Sequence, residues 1–176
     1  MANREALREF QSRLANRLQE ARTTGIAASW LAVEAGNARY LFPLTQSGEI
    51  FPWTQAQPVP YTQAWFLGVA NLRGGLYGVV DLASFVGGRA PAARAESTRD
   101  QSRLVALNAA LDVNCALLVD RLVGLRNVEA FTASAPSSEG APGFFGSGYT
   151  DASGAFWQEI NLQSLSQTPQ FLSISA

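Results

Sequence analysis

The spacing of the hydrophobic positions changes near Gly25. Before this residue, apolar side chains recur every three or four positions and predict one stripe of an amphipathic helix from Asn3 to Arg22: Leu7, Phe10, Leu14, Leu18 and Ala21. An apolar stripe of this kind either packs on its own domain or docks a partner helix, and the first interpretation is the more common outcome. Because the polar face carries both signs of charge, membrane binding is the weaker interpretation.

After Gly25 the spacing shortens towards two, which predicts β-strands. Short apolar or alternating runs, separated by turn-forming residues, occur at 26–33, 40–44, 50–53, 69–72, 76–80, 103–107, 114–119, 122–128, 144–150 and 156–162. Ten short strands predict one or two small barrels. Residues 64–67 are predicted to form one helical turn, and residues 165–174 a short closing element.

Two aspartates follow similar apolar runs, Val79-Val80 and Leu118-Val119. Asp81 is predicted to cap a short helix over 82–86, and Asp120 to act as a turn or cap residue. The intervening segment 89–102 (RAPAARAESTRDQS) is polar, rich in alanine and without periodicity. It is therefore predicted to be a linker or mobile loop.

The segment 68–82 contains two strand patterns joined at Gly74-Gly75, which predicts a hairpin with a tight turn. Arg73 is the one charged residue beside this turn, and the strands around it are apolar. Such an arginine has either a structural role or a role in docking a partner, and the local sequence leaves both open.

Composition excludes most enzyme chemistry. The chain of 176 residues carries 13 cationic side chains, all arginine, against 14 acids, and it contains no histidine. Nucleophilic centres that need an imidazole and phosphate loops that need a lysine are therefore absent, and the acids are scattered. The chain is therefore predicted not to be an enzyme and to need no cofactor or metal. It is also predicted not to bind nucleic acid, because its net charge gives it no overall positive field. Cys115, the single cysteine, is predicted to be a buried thiol.

The first ten residues are polar, and no run of eighteen apolar residues occurs later. These features predict a cytoplasmic location without direct membrane insertion.

Several ordered motifs resemble the CheW family of chemosensory adaptors. They are 48–50 (GEI), 58–60 (PVP), 65–74 (WFLGVANLRG), 79–82 (VVDL) and 117–120 (LLVD). The resemblance extends from about 26 to 165. The string GVANLRG at 68–74, preceded by Trp65, and the tail at 165–172 (LSQTPQFL) are most similar to the PilI branch, the CheW-like proteins of type IV pilus chemosensory systems.

The resemblance implies a mainly β fold of two packed five-stranded SH3-like barrels that share a core. The implied organisation is an N-terminal helix at 1–25 and a CheW-like domain at 26–165, followed by a C-terminal tail at 166–176. Within the domain, the first barrel would span about 26–88, the loop 89–102, and the second barrel about 103–165.

The resemblance also implies site residues. Gly68, Asn71, Arg73 and Gly74 match the motif region tied to receptor coupling, and Glu49 lies where the family often has an acid that pairs with this arginine. A buried pair of this kind would make Arg73 an internal strut, since breaking one costs about 3 to 5 kcal/mol. The alternative is that Arg73 contacts a partner. Leu76 matches an apolar position near the kinase-facing surface.

The implied function is a non-catalytic adaptor. It would couple the cytoplasmic tip of a methyl-accepting chemoreceptor to the regulatory domain of a histidine autokinase, in a type IV pilus pathway that controls twitching motility. The alternative is a stand-alone small β-barrel module that binds a ligand or single-stranded nucleic acid.

Overall fold

The structure, a computed structural model, describes residues 2–23 and 29–176. The α-helices in these ranges are α1 (Ala2–Thr23), α2 (Leu82–Gly87), α3 (Glu96–Gln101), α4 (Leu162–Gln167) and α5 (Pro169–Leu172), and two short 3-10 helices lie at Ala109–Leu111 and Val128–Ala130. The strands are β1 (Trp30–Ala35), β2 (Ala38–Pro43), β3 (Ser47–Pro52), β4 (Phe66–Leu72), β5 (Gly75–Asp81), β6 (Arg103–Leu107), β7 (Cys115–Val119), β8 (Arg121–Arg126), β9 (Phe131–Ala135), β10 (Phe145–Asp151) and β11 (Phe156–Ile160).

Helix α1 confirms the helical period, but the described part of its apolar stripe does not cover a core. Leu7, Phe10 and Leu14 are each more than half exposed. For these three residues, the interpretation that the helix packs on its own domain is wrong. The side chains of Leu18 and Ala21, the predicted stop at Gly25 and the start of the first predicted strand at 26–28 lie outside the described residues.

Each of the ten predicted strands overlaps an observed one, and β9 is an additional strand. Strand β9 has the sequence FTASA, lies at the edge of a sheet and is largely exposed, so it lacks the apolar alternation that predicts a strand. The predicted helical turn at 64–67 is wrong, because Phe66 begins β4 and continues as extended chain.

The strands form two sheets, with orders β8-β1-β2-β11-β10-β9 and β3-β6-β7-β5-β4. The prediction of a mainly β fold with two packed small barrels is confirmed, although one sheet has six strands instead of five. A sequential division into a first barrel at about 26–88 and a second at about 103–165 does not match the sheet membership. Strands β1 and β2 pair with the late strands β8 and β11, and strands β6 and β7 pair with the early strands β3 and β5.

Three hydrophobic clusters follow from the alternation of side chains along the strands. Strand β7 is buried on both faces: Cys115, Leu117 and Val119 face a central core between the sheets, and Ala116 and Leu118 face a smaller core inside the five-stranded sheet. A third cluster, which includes Trp30 and Trp157, lies inside the six-stranded sheet. The shared central core explains why the two sheets pack as one unit.

The predicted buried thiol is confirmed, because Cys115 is 5% exposed and burial raises its pKa to about 12. The predicted cap is also confirmed: the Asp81 carboxylate accepts a hydrogen bond from the Ser84 amide at the start of α2. In the described residues, no helix is long and apolar enough to cross a bilayer, and no three His, Cys, Asp or Glu side chains are placed to share a metal ion.

The C-terminal closing element consists of α4 and α5, which pack on the central core through Leu165 and Phe171. The predicted linker at 89–102 is partly helical, because α3 occupies its second half. The first half, 89–95, has no regular structure.

Candidate functional site

The tip of the β4–β5 hairpin presents four of the residues that the family resemblance singles out: Asn71, Arg73, Gly74 and Leu76. Leu72 and Gly75 form the last strand pair, so the central turn residues are Arg73 and Gly74, one position earlier than the predicted Gly74-Gly75 turn. Both have positive φ, 49° and 82°, as a type I′ turn requires. The Asn71 side chain accepts a hydrogen bond of 2.9 Å from the Gly74 amide and fixes this turn.

Arg73 forms the expected ion pair with Glu49, and its guanidinium carbon lies 5.9 Å from the centre of the Phe51 ring. Glu49 and Phe51 belong to β3, one edge of the five-stranded sheet, whereas the hairpin forms the opposite edge. The pair therefore spans the seam at which this sheet closes on itself. The expectation of a buried pair is wrong, because the side chains of Arg73 and Glu49 are 75% and 44% exposed.

Gly68 has a structural role that its position in the motif does not reveal. Gln57 and Val69 exchange two backbone hydrogen bonds of 2.7 and 2.9 Å, which attach the loop before β4 to the strand edge. A Cβ atom on Gly68 would lie 2.0 Å from the Gln57 carbonyl oxygen, and the φ of Gly68 is +132°. Glycine is therefore required for this loop to cover the edge of the sheet.

Leu76 lies directly opposite Asn71 in the hairpin and is 63% exposed. It is thus an apolar side chain on the surface, close in sequence to the turn residues Arg73 and Gly74. The Gly78 amide donates a 2.9 Å hydrogen bond to the Asn114 carbonyl, where β5 pairs with β7.

The sequence pattern gave no indication that Arg94 has a structural role. It lies in the segment interpreted as a linker, yet its Nη1 is 2.8 Å from Asp81 Oδ2 and its Nη2 is 2.7 Å from Asp120 Oδ1. Burial lowers the pKa of Arg94, but hydrogen bonds and charge from both carboxylates outweigh this effect and raise it. The two aspartates that the sequence marks as similar thus share one cation.

The sequence and the fold both match proteins of one known family. The family model of the CheW-like domain matches residues 29–170, and the chain belongs to this family. Among solved structures, the crystal structure of scaffolding protein TtCheW from Thermoanaerobacter tengcongensis superimposes with a TM-score of 0.60 and 16% identity, covering 76% of this chain and 88% of that one. The fold is thus that of a CheW-like protein.

Two curated relatives are similar in sequence. Protein PilI of Pseudomonas aeruginosa is 29% identical over 64% of this chain and 62% of its own length. The chemotaxis protein CheW of Rhizobium meliloti is 35% identical over 34% of this chain and 39% of its own length. The alignments therefore span less than two thirds of either relative.

Proposed function

We propose that this chain is a non-catalytic adaptor in the cytoplasm that couples a chemoreceptor to a histidine autokinase. Membership of the CheW-like family supports this proposal, as does the fold shared with a protein described as a scaffold. The partners are the cytoplasmic tip of a methyl-accepting chemoreceptor and the regulatory domain of the kinase.

The pathway we assign is a type IV pilus chemosensory system that controls twitching motility. The similarity to PilI over 117 residues supports this branch. The string WFLGVANLRG at 65–74, which forms β4 and the hairpin turn, adds a second line of support.

The observation that carries the proposal is the construction of the hairpin tip. Its backbone is held by a type I′ turn and an asparagine side chain, while its outward side chains, Arg73 and Leu76, remain exposed. A fixed backbone that presents one cation and one apolar side chain loses little conformational entropy when a partner binds. This combination favours a docking surface.

Replacing Leu76 with aspartate is expected to abolish binding to the regulatory domain of the kinase. An exposed apolar contact contributes to an interface through burial, and a carboxylate at the same place would have to be desolvated on binding. The measurement is a pull-down with the regulatory domains of a pilus-pathway and a flagellar-pathway kinase. Leu172→Asp is the matched control, because Leu172 is 58% exposed in α5.

We expect the wild type and the Leu172 variant to retain the pilus-pathway domain, and the Leu76 variant to lose it. Failure of the folded wild type to bind either domain would contradict the adaptor function. Retention of the flagellar-pathway domain alone would contradict the assignment to the pilus pathway. Equal binding by all three proteins would remove Leu76 from the interface.

Replacing Arg73 with alanine is expected to change the free energy of unfolding by less than about 1 kcal/mol, because exposed ion pairs contribute little. The same substitution is expected to weaken binding to a receptor-tip peptide. Arg121→Ala is the control, since Arg121 forms another exposed pair with Glu34 on the other sheet. Urea unfolding and fluorescence anisotropy measure the two quantities. A large loss of stability in the Arg73 variant would instead establish a structural strut.

A further inference from the structure

Residues 89–95, which we name the strap, form one wall of a cleft of about 850 Å³. Gly36 and Asn37, from the turn between β1 and β2, contribute the facing wall, together with Ala83 and Val86 of α2. The strap therefore lies where the two sheets meet, beside elements from each.

Few contacts hold the strap in place. At its start, the Ser84 hydroxyl donates a hydrogen bond to the Arg89 carbonyl. No described hydrogen bond involves residues 90–93, and the alanines among them are exposed. Neither apolar burial nor backbone pairing fixes residues 90–93. The Ala95 carbonyl accepts hydrogen bonds from the Thr98 and Arg99 amides, so the strap is held at its ends, and one side-chain contact at the far end joins it to both sheets.

That contact is the side chain of Arg94, which is 13% exposed. Its Nη1 donates to Asp81 in the five-stranded sheet, and its Nε and Nη2 lie 2.9 and 2.7 Å from Asp120 Oδ1. Asp120 follows β7, and its other oxygen accepts a 2.7 Å hydrogen bond from the amide of Gly36, in the turn that joins β1 and β2 of the six-stranded sheet. One guanidinium thus connects the strap to both sheets.

We propose that Arg94 is a clasp: by occupying Asp81 and Asp120 it holds the strap closed along the cleft, and its release opens the cleft without unfolding either sheet. Two functions are combined in this side chain. It neutralises the two carboxylates, and it tethers the strap. A free guanidinium can perform the first function but not the second, which makes the two separable by experiment.

The tether is tested with a nitroxide attached to Ala92→Cys, an exposed position in the middle of the strap. Cys115 is buried with a pKa of about 12, so it is unreactive towards the label in the folded protein. Combining this label with Arg94→Ala is expected to shorten its rotational correlation time by about threefold or more, as for a loop that gains freedom. Arg99→Ala is the control, because Arg99 packs over Trp53 and contacts neither aspartate.

The neutralising function is tested by measuring the Tm of Arg94→Ala in the presence of ethylguanidinium. Ethylammonium at the same ionic strength is the control cation. The substitution is expected to lower Tm by about 5 °C or more. Ethylguanidinium is expected to recover at least about half of this shift, because it offers the planar fork that Asp81 and Asp120 accept, while ethylammonium recovers less. The spin label on the strap is expected to stay mobile during this recovery.

An equally immobile label in folded Arg94→Ala would overturn the clasp, and so would identical effects of the two cations on Tm. If Arg94→Ala does not fold, the double variant Asp81→Asn/Arg94→Ala provides the second protein, because it removes the tether without leaving the buried carboxylate of Asp81 unpaired. A looser label in that folded protein supports the clasp. A label as immobile as in the wild type contradicts it.

Discussion

Alanine at position 68 is expected to lower the free energy of unfolding by at least about 3 kcal/mol. The new Cβ atom would lie 2.0 Å from the Gln57 carbonyl oxygen, and a φ of +132° is unfavourable for any residue with a side chain. The strand would have to change its conformation or release the loop before β4. Either change breaks the two hydrogen bonds between Gln57 and Val69.

Denaturant unfolding of Gly68→Ala and Gly87→Ala provides the test. Gly87 ends α2 and does not have a positive φ, and a Cβ atom at this position would have no neighbouring atom within 4 Å. Its replacement is expected to be neutral or slightly stabilising, because alanine restricts the unfolded chain. Equal stability of the two variants would show that the loop does not depend on the absence of a Cβ at position 68.

Replacing Asp81 with alanine is expected to cost about 3 to 5 kcal/mol, because it breaks a buried ion pair. Asp81 is 2% exposed, pairs with Arg94 and caps α2 through the Ser84 amide. Asparagine at this position retains the cap but loses the charge. We therefore expect Asp81→Asn to be more stable than Asp81→Ala by about 1 kcal/mol.

The control for Asp81 is Asp112→Asn. Asp112 is exposed and has a φ of 58°, a conformation that asparagine also adopts readily. Thermal and urea unfolding of the three variants measure the differences. If the change at Asp112 were as costly as those at Asp81, the loss would reflect charge in general instead of the buried pair.

Local patterns identified ten of the strands because each of these has its own apolar or alternating run, and the Asp81 cap because it is formed within four residues. Arg94 could not be found in this way. Its partners lie 13 and 26 residues away in sequence, in other elements, and its neighbours are alanines with no periodicity. Strand β9 was missed because an exposed edge strand needs no apolar face.

The hairpin shows the same limit at the candidate site. The sequence predicted the turn to within one residue, and the expected pair of Arg73 and Glu49 forms. The exposure of that pair was not predictable, because it depends on how the two edges of the five-stranded sheet meet. Likewise, the need for glycine at position 68 comes from a loop that approaches the strand edge only in the folded chain.

The crossing of strands between the two halves has a consequence for folding. Tyr40 pairs with Gln158, and Gly78 pairs with Cys115, so neither sheet is complete until distant parts of the chain have met. Such non-local pairing predicts slow folding. Fragments divided within 89–102 would each lack strands of their own sheet, and the protein should be obtainable only as one cooperative unit.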